Sequence, residues 1–234
     1  MLRLARLVEV AVDSFFPRRC VGCGTVGSFL CPDCLDELPR LAAPFCPRCG
    51  RPQASGIVCP DCWKRPTKID GVRSPFRFDG AVRKSIHELK YRNLKAISPC
   101  LGELLPDYLN ENPLPGEALV SVPLHPRRLR ERGYNQSGLL ARALGKRIGL
   151  PAIEDCLIRV KQAQPQVRAV DVEERRRNVA DAFVCRDEGV SGKQIILIDD
   201  VCTSGATLES CAAALKDKGA ASVWGLTLAR DIRN

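Results

Sequence analysis

Two hydrophobic periods organise this chain. In MLRLARLVEVAVDSFF at the N-terminus, Leu4, Leu7, Val8, Ala11, Val12 and Phe15 recur at spacings of three and four, which predicts a short amphipathic helix. Glu9 and Asp13 interrupt its apolar run and no small-residue cleavage site follows, so the segment does not read as a secretory signal. Residues 195–207 read IILIDDVCTSGAT, in which four apolar and mostly β-branched residues precede polar punctuation. That pattern predicts a buried strand of a parallel sheet. From Thr207 to Lys218, Leu208, Cys211, Ala212 and Leu215 fall at helical spacing, and Gly219 is placed to end the helix. Ser222 to Ala229 resumes as a strand, and Leu119 to Val122 reads as another. A strand, loop, helix and strand in this order put the loop where doubly wound sheets bind ligands.

The segment before residue 63 follows neither period and is ordered by cysteines instead. Of thirteen in the chain, eight form C-x-x-C pairs: Cys20 with Cys23, Cys31 with Cys34, Cys46 with Cys49, and Cys59 with Cys62. An odd total excludes a complete set of internal disulfides. Confinement of the pairs to one segment argues for a reducing, cytoplasmic compartment over a secreted scaffold. A two-residue gap lets one turn present two sulfurs to a metal, and two pairs complete a tetrahedral zinc site with no open position. CVGCG, six residues and CPDC are followed by CPRCG, eight residues and CPDC, an internal repeat that suggests two ribbons with the pairs taken in sequence. Spacing also permits a cross-braced arrangement, an iron–sulfur cluster or a redox pair. Metal would supply most of the folding free energy of such small ribbons, on the order of 10 kcal/mol per site.

Zinc changes the charge tally. The formal charge is +9, and two four-thiolate sites lower it to about +5, which weakens a whole-chain case for nucleic-acid binding. The remaining surplus is local: residues 127–177 hold thirteen Lys or Arg against six Asp or Glu, in the runs RRLRER and ERRR with Arg159 and Lys161 between them. A solvated helix face is the ordinary explanation of such runs.

The loop CTSGAT offers three hydroxyls, a glycine that permits close backbone approach and the positive end of a helix, a combination that holds phosphate. Asp199 and Asp200 end the strand, where carboxylates can accept hydrogen bonds from a vicinal diol. A phosphate one step from a diol describes ribose 5-phosphate. A P-loop ATPase would need G-x-x-x-x-G-K-[ST] upstream, and neither Gly145-Lys146 nor Gly192-Lys193 has a glycine five positions earlier. Cys202 reads as a small packing residue or a reactive thiol near a helix start.

IILIDDVCTSGAT resembles the signature of the type I phosphoribosyltransferases. With VPLHPRRLRERGYNQSGLLARAL at 122–144, FRFDGAVRKSIHELKYRN at 76–93, RNVADAF at 177–183 and the four cysteine pairs, nearly the whole chain resembles the ComF family. The resemblance implies an α/β fold: a type I phosphoribosyltransferase-like parallel sheet flanked by helices over residues 69–234, behind an N-terminal helix and double zinc ribbon over residues 1–68. It assigns phosphoribosyl pyrophosphate to Asp199, Asp200, Thr203, Ser204, Gly205, Ala206 and Thr207, with Mg2+ on the pyrophosphate. It makes the turn from Pro123, Leu124 and His125 the pyrophosphate loop, with Arg127, Arg128, Arg130 and Arg132 as its charge reservoir. Residues 159–177, including Arg159 and Lys161, become a water-excluding hood, which departs from the family pattern at Ala163 and Ala169.

Two functions of different class follow. One is an enzyme that transfers phosphoribosyl to a nitrogen nucleophile and releases pyrophosphate. No acceptor is legible, and His87 and His125 read as structural, so no general base is assigned. The other is a non-catalytic, ligand-responsive or DNA-binding accessory module, since some ComF-like proteins are associated with DNA uptake in competence. As partners this reading admits single-stranded DNA, competence proteins and a second copy in a homodimer, and no membrane span is expected.

Overall fold

The computed structural model describes residues 17–160 and 182–232. The predicted N-terminal helix lies outside them, as do Lys161 and the run at 174–177. In each ribbon the second C-x-x-C starts a short helix, α1 (Pro32–Asp36) after Cys31 and α2 (Pro60–Trp63) after Cys59. Both begin with proline, whose missing N–H and fixed φ suit a first helical position.

The elements that follow are β1 (Gly71–Arg73), β2 (Phe76–Arg77), α3 (Gly80–Tyr91), α4 (Ser98–Gly102), α5 (Leu105–Glu111) and β3 (Ala118–Ser121). Then come α6 (Pro126–Arg132), α7 (Gln136–Ile148), β4 (Ala152–Ile153), β5 (Leu157–Arg159), β6 (Phe183–Cys185), β7 (Gln194–Cys202), α8 (Ala206–Asp217) and β8 (Ser222–Arg230). Five strands form a parallel sheet in the order β1-β8-β7-β3-β4, and β2 also pairs with β8, beyond β1. β5 and β6 form a separate antiparallel pair at the foot of the predicted hood.

Alternation along β7 divides the core into two layers. Ile195 and Leu197 pack with Leu208, Cys211, Ala212 and Leu215 of α8. Ile196 and Ile198 turn the other way, toward Leu89 of α3, Leu101 of α4, Leu105 of α5, and Leu140 and Leu144 of α7. A strand covered on both faces must be apolar throughout, which is why residues 195–198 read as a continuous run.

β7 and β8 run further than the apolar pattern predicts. β3 stops at the pair Ser121–Ile198, whereas β7 continues against β8 through Asp199–Thr227, Val201–Ala229 and Cys202–Arg230. From Asp199 onward β7 therefore has a strand neighbour on one side only.

The predicted pyrophosphate turn also differs. Only residues 122–125 are irregular, because His125 caps α6 by accepting the Arg127 N–H at Nδ1, and Pro126 sets the first helical φ. Arg127, Arg128, Arg130 and Arg132 thus sit on a helix, which stops at Gly133 in the left-handed region, φ 76°.

Candidate functional site

The sulfur atoms of Cys20, Cys23, Cys31 and Cys34 all lie within 4.8 Å of one another, as do those of Cys46, Cys49, Cys59 and Cys62. This is the sequential grouping and not the cross-braced one. Zn–S bonds of about 2.3 Å require sulfur pairs about 3.8 Å apart at a tetrahedron's edge. Cys23 and Cys31 are at 3.5 Å, and Cys49 and Cys59 at 3.8 Å, so both cages fit the ion. Cys31 N–H donates to Cys20 Sγ and Cys59 N–H to Cys46 Sγ, each at 3.4 Å, as suits thiolate. Side-chain hydrogen bonds from Cys20 and Cys31 push the Cys34 thiol well up, while, against burial, backbone N–H groups of Cys23, Cys31 and Gly22 lower Cys20 to about 6. Four thiolates need a dication to coexist, and these are two zinc ribbon sites of four cysteines each.

Where β7 extends past β3, Asp199 Oδ1 accepts from the Ser137 hydroxyl at 2.8 Å and from the Asp200 N–H at 2.9 Å. Ser137 is placed by Asn135, which caps α7 by accepting the Ser137 N–H and donates from Nδ2 to the Val122 carbonyl. Asp200 is buried, and Lys90 Nζ lies 2.6 Å from its Oδ2. Burial, then the charge of Asp200, push the Asp199 carboxyl up to about 7 against the opposing pull of Lys90 and Ser137. One acid is thus stabilised by an ammonium while its neighbour is poised to titrate near neutrality.

The chain then turns through Thr203, Ser204 and Gly205 into α8. Gly205 is the N-cap at φ 77° and has no side chain to cap the helix, so first-turn amides beyond that of Ala206 remain available to a ligand. Ser204 Oγ accepts from the Ala206 N–H at 3.4 Å. Helix begins at Ala206, so Ala206 and Thr207 belong to its first turn and Thr203 to Gly205 form the loop. Cys202 is buried, burial raises its thiol, and its Sγ accepts from Arg230 Nη1 at 3.2 Å.

Two clefts adjoin this edge. One of about 470 Å3 is lined by Lys90, Tyr91, Asn93, Arg128, Glu131 and Arg132, so three cations reach it. Another of about 490 Å3 brings Pro123 and Leu124 together with Asn135 and Arg159. Burial, then the neighbouring Arg128, lower the Arg159 pKa, and its buried Nε has no hydrogen-bond partner among the described residues. The Arg159 guanidinium lies over the Phe183 ring at 5.4 Å and leaves that one donor unpartnered, a feature that suits an anion. Arg127 pairs with Glu131 at 2.8 Å, and Arg130 is exposed on α6; neither lines these clefts.

Sequence reasoning missed Lys90, Ser137 and Arg230. Lys90 and Ser137 fall inside the family-like blocks at 76–93 and 122–144 and carried no role, because nothing local marks a partner on another element. Arg230 carried no signal at all. His87 lies on α3 with its ring 4.8 Å from Tyr91, and His125 is a cap, consistent with structural roles for both. No described helix is long and apolar enough to cross a membrane.

Comparison with known proteins matches residues 11–63 to the double zinc ribbon domain and residues 136–232 to the phosphoribosyl transferase domain. The chain is 32% identical over 210 residues to competence protein ComFC of Bacillus subtilis, covering 86% of this chain and 84% of that one. It is 30% identical over 234 residues to competence protein F of Haemophilus influenzae, covering 92% and 99%. Among solved structures, glutamine phosphoribosylpyrophosphate amidotransferase from B. subtilis overlaps 56% of this chain and 26% of its own, at 19% identity and a TM-score of 0.38. Two four-cysteine cages ahead of a parallel sheet with an acid pair at its edge, and a likeness spanning most of both competence proteins, establish that this chain belongs to the ComF family.

Proposed function

We propose that the chain binds phosphoribosyl pyrophosphate with Mg2+ at the carboxyl edge of β7 and transfers its phosphoribosyl group to a nitrogen nucleophile. The carrying observation is the Asp199–Asp200 pair, held by Ser137 and Lys90 and followed after a short loop by a helix start with glycine at its N-cap. In this reading the acids accept hydrogen bonds from the ribose diol, and Thr203 to Thr207 hold the 5-phosphate. Arg128, Arg132, Arg159 and Lys90 supply positive charge for the pyrophosphate, whose charge grows as the glycosidic bond breaks. Pro123, Leu124 and His125 form the turn that carries α6 to this position. Magnesium neutralises part of the leaving group when bound. By the names of its relatives, we place the protein's role in DNA uptake.

The test is pyrophosphate release by the full chain given Mg2+, phosphoribosyl pyrophosphate and a panel of bases and amines. Acceptor-dependent release is expected. Asp199→Asn with Asp200→Asn should abolish ligand binding while zinc content stays at about two per chain; unaltered affinity would put the ribose elsewhere. A second reading, a nucleic-acid-binding accessory module without turnover, is favoured by Trp63, which stands 79% exposed beside Lys64 on the second ribbon. It predicts tight ligand binding without release, and DNA affinity that falls steeply with salt.

A further inference from the structure

The second ribbon is joined to the loop that follows β7. Arg230, the last residue of β8, pairs with Cys202, the last residue of β7. It is 3% exposed, and its Nη1 donates to the Cys49 carbonyl at 2.5 Å and to Cys202 Sγ at 3.2 Å. Its buried Nε has no hydrogen-bond partner among the described residues. A buried guanidinium with an unpartnered donor favours an anion beside it.

The guanidinium lines a cavity of about 170 Å3. One wall is the second ribbon, at Arg48, Cys49, Cys62 and Arg65, and the opposite wall is Ser204, Gly205 and Ala206 at the start of α8. Its two carboxylates are engaged elsewhere. Asp61 pairs with Arg51 at 3.3 Å, and Glu209 accepts from the Lys68 and Ile69 N–H groups at 2.6 and 3.3 Å. What the cavity adjoins is Arg230, with one donor unpartnered among the described residues, and the amide end of a twelve-residue helix.

The ribbon is fixed against this wall. Val72 N–H donates to the Arg48 carbonyl at 2.7 Å, and Arg73 Nη1 donates to the Pro47 carbonyl at 3.0 Å. A Cβ on Gly50 would fall 2.2 Å from the Val72 carbonyl oxygen, and its φ of 71° also demands glycine.

We infer that the second zinc ribbon and Arg230 form the back wall of the phosphate site, so that a phosphate monoester is gripped by the loop on one side and by Arg230 on the other. This rests on the reading of Thr203 to Thr207 as the 5-phosphate loop. Arg230 then has two duties: it orders the loop through Cys202 and it presents a charged donor. Zinc in the second site acts at a distance, by holding the Cys49 carbonyl where Arg230 needs it.

The experiment compares ribose 5-phosphate with magnesium pyrophosphate as ligands of the full-length chain, by calorimetry, alongside zinc analysis. Arg230→Met should weaken ribose 5-phosphate roughly 10- to 100-fold, the range for a hydrogen bond to a charged group, while pyrophosphate affinity and zinc content hold. Arg230→Lys should recover part of the loss. Cys62→Ser, which removes a ligand of the second zinc, should give the same selective loss. Wild-type ribose 5-phosphate affinity in Arg230→Met, or equal loss of both ligands, overturns the inference. If instead the unmodified chain fails to bind ribose 5-phosphate, the underlying assignment of the loop falls with it. Binding that the Asp199, Asp200 double variant abolishes and Arg230→Met spares sinks the inference alone.

Discussion

The two ribbons carry nearly the same cysteine pattern and are attached to the sheet by different physics. The first is joined to the main core: Leu30 and Leu38 are buried with Phe76, Val82 and Ile86, and Val21, Phe29 and Leu35 pack against them. Its polar links include Lys84 Nζ of α3 donating to the Gly22 carbonyl at 3.0 Å and, next to Leu38, the Arg77 N–H donating to the Pro39 carbonyl at 2.7 Å. The second, among the described residues, places no side chain in either core cluster and docks through backbone hydrogen bonds, Arg73 and Arg230. Its Trp63 and Ile57 remain exposed. Equivalent metal cages thus do not imply equivalent roles: one extends the core, and the other is a rigid wall beside the candidate site. They meet that site from opposite flanks. α3, on which the first ribbon packs, supplies Lys90 to Asp200, while Arg230 ties the second to Cys202.

The largest test of this contrast is metal removal. Stripping zinc withdraws on the order of 10 kcal/mol per site, and both ribbons should lose their fold. Loss of the first should also lower the stability of the α/β core, because Leu30 and Leu38 leave it. Selective disruption by Cys34→Ser against Cys62→Ser, read by thermal unfolding of the core, should show the larger drop for Cys34→Ser; equal drops would erase the distinction.

Leu30→Ala should then cost about 2–5 kcal/mol in global unfolding. Gly50→Ala should act locally, since its clash with the Val72 carbonyl is relieved by moving the ribbon and not by repacking the core. The expected signature is faster hydrogen exchange over residues 46–62 with little change in global stability.

A smaller effect belongs to the acid pair between the two flanks. A carboxyl whose folded pKa lies above its unfolded value destabilises the fold as pH rises through that interval, and the cost is complete above the folded value. With Asp199 raised from 3.8 to about 7, Asp199→Asn should stabilise the ligand-free chain by on the order of 2 kcal/mol near pH 8. It should do much less near pH 5. Thermal unfolding at both pH values checks the sign. The smallest effect is Trp63→Ala, which at 79% exposure should change stability by no more than about 0.5 kcal/mol.

Much of this molecule was legible where chemistry is written in short spacings. C-x-x-C pairs repeated in order specified two cages, and the sequential grouping is the one observed. The apolar run at 195–198, the helical spacing from Leu208 to Leu215 and the stop at Gly219 specified a strand, loop and helix, found at Gln194–Cys202 and Ala206–Asp217. Boundaries slipped for a physical reason. Asp199 to Cys202 are not strand-like by pattern, and they extend because β8 offers a ladder that propensity cannot announce. RRLRER, which the family resemblance made the charge reservoir of a loop and its charge pattern allowed as a helix face, lies on a helix set by a capping histidine, a proline and a glycine.

The sequence by itself determined the repeated cysteine pairs, the sheet-edge loop and the acids that precede it, because each depends on residues a few positions apart. Only the tertiary structure decided what those acids and that loop touch. Ser137 reaches Asp199 across 62 positions, Lys90 comes to Asp200 from α3, and Arg230 reaches Cys49 across 181. Contacts between distant residues follow from the packing of whole elements against one another, and no local period of apolar and polar positions carries that information.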